Sequence, residues 1–373
     1  MINRLLASSI IEKWDSNKII VVTGPRQVGK TTLIKNICER YGDHLFINGD
    51  DASARAEFSE PSEKYLKQAI GNHKILFIDE AQRIENIGLI LKIIHDRLSG
   101  VKVIASGSSA LDIADKTNEP LTGRKWHYNL FPISWQELVD YSGYFETKLT
   151  LDQYLIFGTY PEIVNNMESA TTILQELTNS YLYKDLLQFK GIRKPEILDK
   201  LLLALALQVG SEVNFSELSR TIGVDRLTIE QYISLLEKTF VIFRVSPLSR
   251  NVRTEINKGR KIYFYDNGVL NAIKGNFKPL KNRKDKGALW ENFLISERIK
   301  YLHYHRKFHR FYFWRTYQQQ EIDWIEEFNG EFYAYEFKYK QKSGQKISKT
   351  FTDNYQPSAT KIISKDNLNE FLH

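Results

Sequence analysis

The sequence predicts an α/β protein built on a doubly wound parallel sheet and continued by helical and mixed modules. Three observations carry that prediction. Short apolar runs alternate with helix-like stretches through the first 135 residues; Gly24-Pro25-Arg26-Gln27-Val28-Gly29-Lys30-Thr31 falls between the first such run and the first helix; and the apolar run from Ile75 to Ile78 ends in Asp79-Glu80. Alternating strand and helix favours a parallel sheet. Ligands of such sheets bind at the carboxyl ends of the strands, where both motifs fall.

Taken in order, the expected strands are Ile19 to Val22, Leu45 to Ile47, Ile75 to Ile78, Val101 to Ala105 and Tyr128 to Leu130. The segment after the first strand reads G-x-x-x-x-G-K-T, a phosphate cradle. Gly24 and Gly29 let the backbone turn through Pro25, Arg26, Gln27 and Val28 so that N–H groups converge on phosphate oxygens. Lys30 adds a positive charge there, the Thr31 hydroxyl can ligate Mg²⁺, and Thr32 continues into the helix. At the end of the third strand, Asp79 can hold the metal through water and Glu80 can polarise an attacking water. ATP with Mg²⁺ is the expected cofactor pair. No N-K-x-D element for reading guanine is evident, and GTP stays open as an alternative.

With 373 residues, the chain has room for two or three domains, each with its own core. Its 42% hydrophobic and 13% aromatic content is that of an ordered protein. A single cysteine, Cys38, forbids an internal disulfide and a multi-cysteine zinc site. No apolar run reaches the ~20 residues of a membrane span and no signal-peptide pattern opens the chain, so the expectation is a cytoplasmic protein without a membrane partner. The net charge of +7 is unevenly distributed: residues 251–350 hold 21 Lys/Arg against 11 Asp/Glu, and the remainder holds 31 against 34. A basic, aromatic-rich C-terminal third suits phosphate-backbone binding, and DNA is the expected partner. A solvated basic surface is the plainer alternative.

Residues 135 to 208 read almost entirely as helix, with apolar residues at helical spacing in Leu151 to Phe157, Ile173 to Leu187 and Ile197 to Leu207. Two short helices follow, Phe215 to Thr221 and Leu227 to Lys238, joined around Gly223. A strand pair, Val241 to Val245 and Lys261 to Tyr265, completes a pattern similar to a winged helix-turn-helix. The second helix exposes Arg226, Glu230, Gln231, Ser234, Glu237 and Lys238, a set that is not strongly basic, so packing between modules competes with DNA reading as its role. Gly275 to Gly287 reads as a Lys-rich linker.

Glu291 opens a helical run, Asp323 lies in a strand-like segment, and Glu336-Phe337-Lys338 follows a turn at Asn329-Gly330. Glu336 and Lys338 project from one face of a strand, and a hairpin can bring Asp323 beside them. Glu291, Asp323 and Glu336 could then hold Mg²⁺ with Lys338 alongside; a surface pair between Glu336 and Lys338 is the bland alternative. His303, His305 and His309 lack metal-ligand spacing and read as solvated or phosphate-facing.

The order of these motifs resembles the bacterial and archaeal family of predicted AAA+-like ATPases with a C-terminal domain of unknown function that has a restriction-endonuclease-like core. The resemblance covers nearly the whole chain. Besides the phosphate loop it rests on Asp79-Glu80-Ala81-Gln82, Ser106-Gly107-Ser108-Ser109, Thr122-Gly123-Arg124 ahead of Leu130-Phe131-Pro132-Ile133-Ser134, Gly158-Thr159-Tyr160-Pro161, Lys261-Ile262-Tyr263-Phe264-Tyr265-Asp266 and Trp290-Glu291-Asn292-Phe293. It implies a γ-phosphate sensor at Ser106 or Ser108. Arg124 would reach a neighbouring subunit's nucleotide in a homo-oligomer, or serve as a local salt-bridge partner. It also implies a nuclease-like set of Asp323, Glu336 and Lys338, in which Ile322 stands where the usual shorthand has proline.

The expected organisation is an ATPase core over 1–135, a helical lid over 136–208, a winged-helix-like module over 209–274 and a nuclease-like domain over 275–373. The leading expectation is ATP hydrolysis coupled to a C-terminal domain that acts on or binds DNA. A nucleotide-dependent switch with a catalytically silent nuclease-like domain is the alternative. A small-molecule kinase would need neither the winged helix nor the basic C-terminal third.

Overall fold

The computed structural model describes residues 2–58, 60, 62–108, 121–182, 195–249, 259–340 and 345–372; Ser109 and the end of the helical run to Leu187 lie outside them. The chain divides into two compact units, one of residues 1–133 with 238–240 and one of residues 134–237 with 241–373.

The first unit holds five parallel strands: β1 (Ile19–Thr23), β2 (Leu45–Asn48), β3 (Ile75–Asp79), β4 (Lys102–Gly107) and β5 (Lys125–Asn129). Their order in the sheet is β2-β3-β4-β1-β5. Every residue of β1 and β3 is buried, as a central strand covered on both faces requires. The described helices are α1 (Leu6–Glu12), α2 (Lys30–Tyr41), α3 (Ala52–Glu57), α4 (Glu63–Ile70) and α5 (Ile87–Arg97). Leu33, Ile34, Ile37 and Cys38 form one buried stripe of α2, and Ile87, Ile90, Leu91 and Ile94 form the corresponding stripe of α5. Because β4 lies between β1 and β3, its end meets the ends of both motif-bearing strands: Val22 pairs with Ser106 and Ile78 with Ala105.

The second unit opens with helices α6 (Trp135–Ser142), α7 (Tyr144–Phe157), α8 (Pro161–Asn165), α9 (Ala170–Glu176) and α10 (Pro195–Leu207). Ser134 starts α6 through a capping box, in which its hydroxyl accepts from the Glu137 N–H while the Glu137 carboxylate accepts from the Ser134 N–H. Then come β6 (Glu212–Val213), α11 (Phe215–Ile222), α12 (Arg226–Lys238), β7 (Ile242–Pro247), β8 (Arg260–Phe264), α13 (Asn267–Ile273) and α14 (Lys286–Tyr304). The chain ends with β9 (Arg310–Arg315), β10 (Glu321–Phe328), β11 (Glu331–Phe337), α15 (Lys349–Tyr355), β12 (Ala359–Ile363) and α16 (Asn369–Leu372).

All seven of these strands belong to one sheet, ordered β12-β11-β10-β9-β7-β8-β6. β7 joins its two parts: it pairs antiparallel with β8 on one side and parallel with β9 on the other. Asn329 and Gly330, with φ of 51° and 80°, form the left-handed two-residue turn between β10 and β11 that the Asn-Gly signal anticipates.

The segment read as a linker is a tied loop. Arg283 donates to the Asn276 carbonyl, the Asn271 side chain and Asp285, Lys274 also pairs with Asp285, and Leu280 is buried. Buried polar hooks explain three further sequence motifs. Asp266 caps α13 at the Val269 N–H and accepts from the Thr159 N–H at 2.7 Å. Gly158 is required beside it, because a Cβ there would lie 2.0 Å from an Asp266 carboxylate oxygen. Asn292 bonds both backbone groups of Phe264, tying α14 to β8. The Gly158 to Pro161, Lys261 to Asp266 and Trp290 to Phe293 segments therefore meet within one unit.

Candidate functional site

In the first unit, the phosphate loop links β1 to α2. Gly24 has φ of 155°, and a Cβ on it would lie 2.0 Å from the Leu130 carbonyl oxygen, so the close crossing of loop and β5 demands glycine. Gln27 and Gly29 adopt left-handed φ of 61° and 90°. Gly29 is the N-cap of α2 and supplies no side-chain cap, so the first-turn N–H groups of the helix carry no hydroxyl or carboxylate of the cap residue. The Lys30 ammonium is buried and donates to the Gly24 and Pro25 carbonyls at 2.8 and 2.7 Å, which keeps its charge over the loop.

Thr31 and Ser106 meet at Asp79. The Thr31 hydroxyl donates to Asp79 Oδ2 at 2.6 Å, and the buried Ser106 hydroxyl donates to Oδ1. Threonine hydroxyl and aspartate oxygens are the hard donors that Mg²⁺ prefers, so this pair fits that ion. Glu80, in a left-handed conformation with φ of 47°, accepts from Gln82 Nε2 at 2.5 Å, and the same nitrogen donates to Ser108 at 3.3 Å. Burial lifts the Glu80 carboxyl above the ordinary glutamate range, against the opposing pull of Lys30, Arg26 and the Gln82 hydrogen bond. A Cβ at Gly49 would come within 2.3 Å of the Glu80 carbonyl oxygen, so that turn has no room for a side chain beside the acidic pair.

Arg124 pairs with Asp96 at 2.8 Å, and His95 Nδ1–H donates to the same carboxylate oxygen. Hydrogen bonds from Arg124 and His95 hold the Asp96 carboxyl down at about 2. One supporting residue is invisible to motif reading: Arg4 donates to the Val28 carbonyl at 2.6 Å and to that of Phe131 at 2.5 Å, bracing the phosphate loop against the chain after β5. A lone arginine near the start of a chain carries no sequence signal for that role.

In the second unit, Glu291 on α14 and Asp323 on β10 act electrostatically on one another, and Lys261 acts on both. Lys261 of β8, 1% exposed, places its ammonium 3.0 Å from Glu291 Oε1 and in contact with Glu321 Oε1. The Tyr263 hydroxyl donates to the same Glu291 oxygen at 2.6 Å. Asp323 Oδ2 accepts the Phe337 N–H at 2.7 Å. Burial and then the Glu291 charge push the Asp323 carboxyl up to about 7, while Lys261, the Phe337 N–H and Lys338 draw it down. Glu336 is held by Lys338 at 2.7 Å. Among the described residues, no three His, Cys, Asp or Glu side chains are grouped to hold a metal ion. The missed residues Lys261, Tyr263 and Glu321 had one signal, a lysine inside the otherwise strand-core run Ile262-Tyr263-Phe264.

His309 does not face solvent or phosphate. Its Nδ1 lies 2.8 Å from Glu326 Oε2, in a buried group where Arg298 clamps both Glu326 oxygens and Trp324 donates to one of them. Among the described residues, no helix is long and apolar enough to cross a membrane.

Three family models match the chain: an AAA domain over residues 16–139, and two domains of unknown function, DUF8612 over 148–280 and DUF4143 over 286–371. Uncharacterized proteins of Mycobacterium bovis and Mycobacterium tuberculosis are each 26% identical over 86% of this chain and 70% of their own length. An uncharacterized protein of Methanocaldococcus jannaschii is 24% identical over 75% of this chain and 66% of its own. Among solved structures, a Walker-type ATPase of Pyrococcus abyssi superposes with a TM-score of 0.53 at 15% identity, covering 74% of this chain and 96% of that one. With its phosphate loop, its acidic strand end and these likenesses, the N-terminal unit has the fold of a P-loop ATPase.

Proposed function

We propose that the protein binds and hydrolyses Mg²⁺-ATP in its first unit and couples that cycle to DNA binding by its second. The observation that carries the proposal is the joining of Thr31 and Ser106 to Asp79, beside the first turn of α2 and the Lys30 ammonium. The N–H groups of that turn and Lys30 bind and orient the phosphates. Thr31 and Asp79 would hold Mg²⁺, which when bound neutralises phosphate charge. Ser106, fixed to Asp79, lies where a γ-phosphate can be sensed. Glu80, oriented by Gln82, takes the proton of the attacking water; its raised pKa makes it a better acceptor for that proton than an ordinary glutamate. Arg124 stays with Asp96 or reaches a second subunit's nucleotide in a homo-oligomer.

DNA binding is supported by the basic C-terminal third and by two aromatic side chains within it: Phe308, 88% exposed, follows Arg306 and Lys307, and Tyr317, 100% exposed, lies near Arg315. Exposed rings among cations provide stacking platforms for unpaired bases. The succession of α14, β9, β10, β11, α15 and β12 supports a restriction-endonuclease-like core. Helices α11 and α12 with β6, β7 and β8 support a winged-helix-like module. On α12, Glu230 and Glu237 pair with Arg226 and Arg244, which leaves that helix little positive charge for the DNA backbone.

Steady-state ATPase assays with Mg²⁺ test the first half. Loss of turnover in Lys30→Ala and in Glu80→Gln is expected, and parent-like turnover in Lys30→Ala would end the reading. Fluorescence anisotropy with single- and double-stranded DNA, with and without ATP, tests the second.

A further inference from the structure

Lys261 is an unusual residue to find in this place. It sits on β8 with almost no exposure, its ammonium 5.4 Å from the centre of the Phe313 ring and shared between Glu291 and Glu321, with the Asp323 charge also acting on it. An ammonium buried this deeply persists only where carboxylates compensate it. One oxygen of each of Glu291, Glu321 and Asp323 is already engaged by a donor within the protein. Glu291 Oε1 accepts from both Lys261 and Tyr263, and Asp323 Oδ2 accepts from the Phe337 backbone. Behind Glu291, Gly210 comes so close that a Cβ on it would stand 3.3 Å from Oε2. Glu336, the remaining carboxylate of the set, has its own cation in Lys338.

We infer that the Lys261 ammonium occupies the place of a divalent cation between Glu291 and Glu321, and that the C-terminal half binds its nucleic-acid partner without cutting it. A divalent ion entering between Glu291 and Asp323 would meet the fixed positive charge of Lys261. Lys261 reaches the centre from β8, in a different part of the shared sheet from the β11 strand that carries Glu336. The winged-helix-like strands thus supply the counter-charge for the nuclease-like carboxylates. This inference rests on the nuclease-like reading of the C-terminal half and narrows it from acting on DNA to holding it.

The test uses the full chain, and its metal-binding measurements are made without nucleotide. Mn²⁺ binding is followed by electron paramagnetic resonance and by thermal unfolding, comparing the parent with Asp323→Asn, and both proteins are incubated with linear, supercoiled and branched DNA in Mg²⁺ or Mn²⁺, with and without ATP. The expected result is superimposable Mn²⁺ titrations and uncut DNA throughout. Mn²⁺ binding or DNA cleavage that the parent shows and Asp323→Asn lacks would overturn the inference while leaving DNA binding intact. Lys261→Met gives the converse: its melting temperature should fall, and millimolar Mn²⁺ should restore part of it unless Asp323→Asn is added. A Lys261→Met protein as stable as the parent and indifferent to Mn²⁺ would overturn it too. If Lys261→Met does not fold, the parent comparison still decides. Absence of DNA binding with no metal at Asp323 would defeat the proposed function and leave Lys261 as the counter-charge.

Discussion

Thr31 Oγ1 donates to Asp79 Oδ2 at 2.6 Å, so the phosphate loop and the acidic strand end are joined by one side-chain bond. Ser106 completes the arrangement from β4, and its hydroxyl fixes the second oxygen of the same carboxylate.

Ser106→Ala should therefore behave as a metal-site variant. Losing an outer partner of a metal-holding carboxylate typically weakens metal affinity about 10–100-fold. The Mg²⁺ concentration for half-maximal ATPase rate should rise by roughly that factor in Ser106→Ala, with turnover at saturating Mg²⁺ falling less. A parent-like Mg²⁺ curve would detach Ser106 from the metal.

The pH dependence of hydrolysis reports on Glu80. As a base it must be ionised, and burial lifts its pKa above the ordinary 4.5, so the rate should fall on acidification at a higher pH than an unperturbed glutamate would allow. Gln82 donates to the ionised form and holds the value down. Gln82→Leu should accordingly move the acid limb of kcat/KM to still higher pH. An unmoved limb in Gln82→Leu would mean that another group sets it.

Stability of the second unit depends on Asp266. Replacing it with Ala strands the buried Thr159 N–H and uncaps α13 at Val269, and unsatisfied buried donors cost about 1–3 kcal/mol each. Urea unfolding should show a loss of roughly 2–5 kcal/mol in that unit's transition. Gly158→Ala should destabilise it by the opposite route, through collision with the same carboxylate. Parent-like midpoints for both would refute the hook.

DNA affinity should separate stacking from charge. Phe308→Ala should weaken single-stranded DNA binding by about 1–3 kcal/mol while leaving the slope of log Kd against log salt unchanged, because no phosphate contact is removed. Lys307→Ala should lower that slope instead. Anisotropy titrations over several salt concentrations distinguish the two, and an unaffected Phe308→Ala would place the DNA elsewhere.

The phosphate loop, Asp79 and the five strands were legible in the sequence because each is a local pattern: glycines at fixed spacing, apolar runs, and acids at a strand end. The Asn329-Gly330 hairpin was legible for the same reason. What escaped reading is what depends on residues far apart in sequence. Arg4 braces Val28 and Phe131 from a position with no pattern around it. The Lys261 run was visible as a motif, but which carboxylates its ammonium meets depends on how β8, α14 and β10 assemble, and periodicity carries no record of that. His309 reads as part of a basic stretch, and only its packing against Glu326 shows that it belongs to the interior.

The sheet that runs unbroken through β7 also limits how this chain can be taken apart or recombined. A fragment starting after residue 274 would leave β9 with an unpaired edge, the kind of edge that invites aggregation, and would leave Glu291 and Glu321 without the cation they enclose. The two C-terminal parts are thus heritable only as a pair. A swap with a relative that moves one of them must carry the other, whereas the phosphate-loop unit closes its sheet without borrowing a strand.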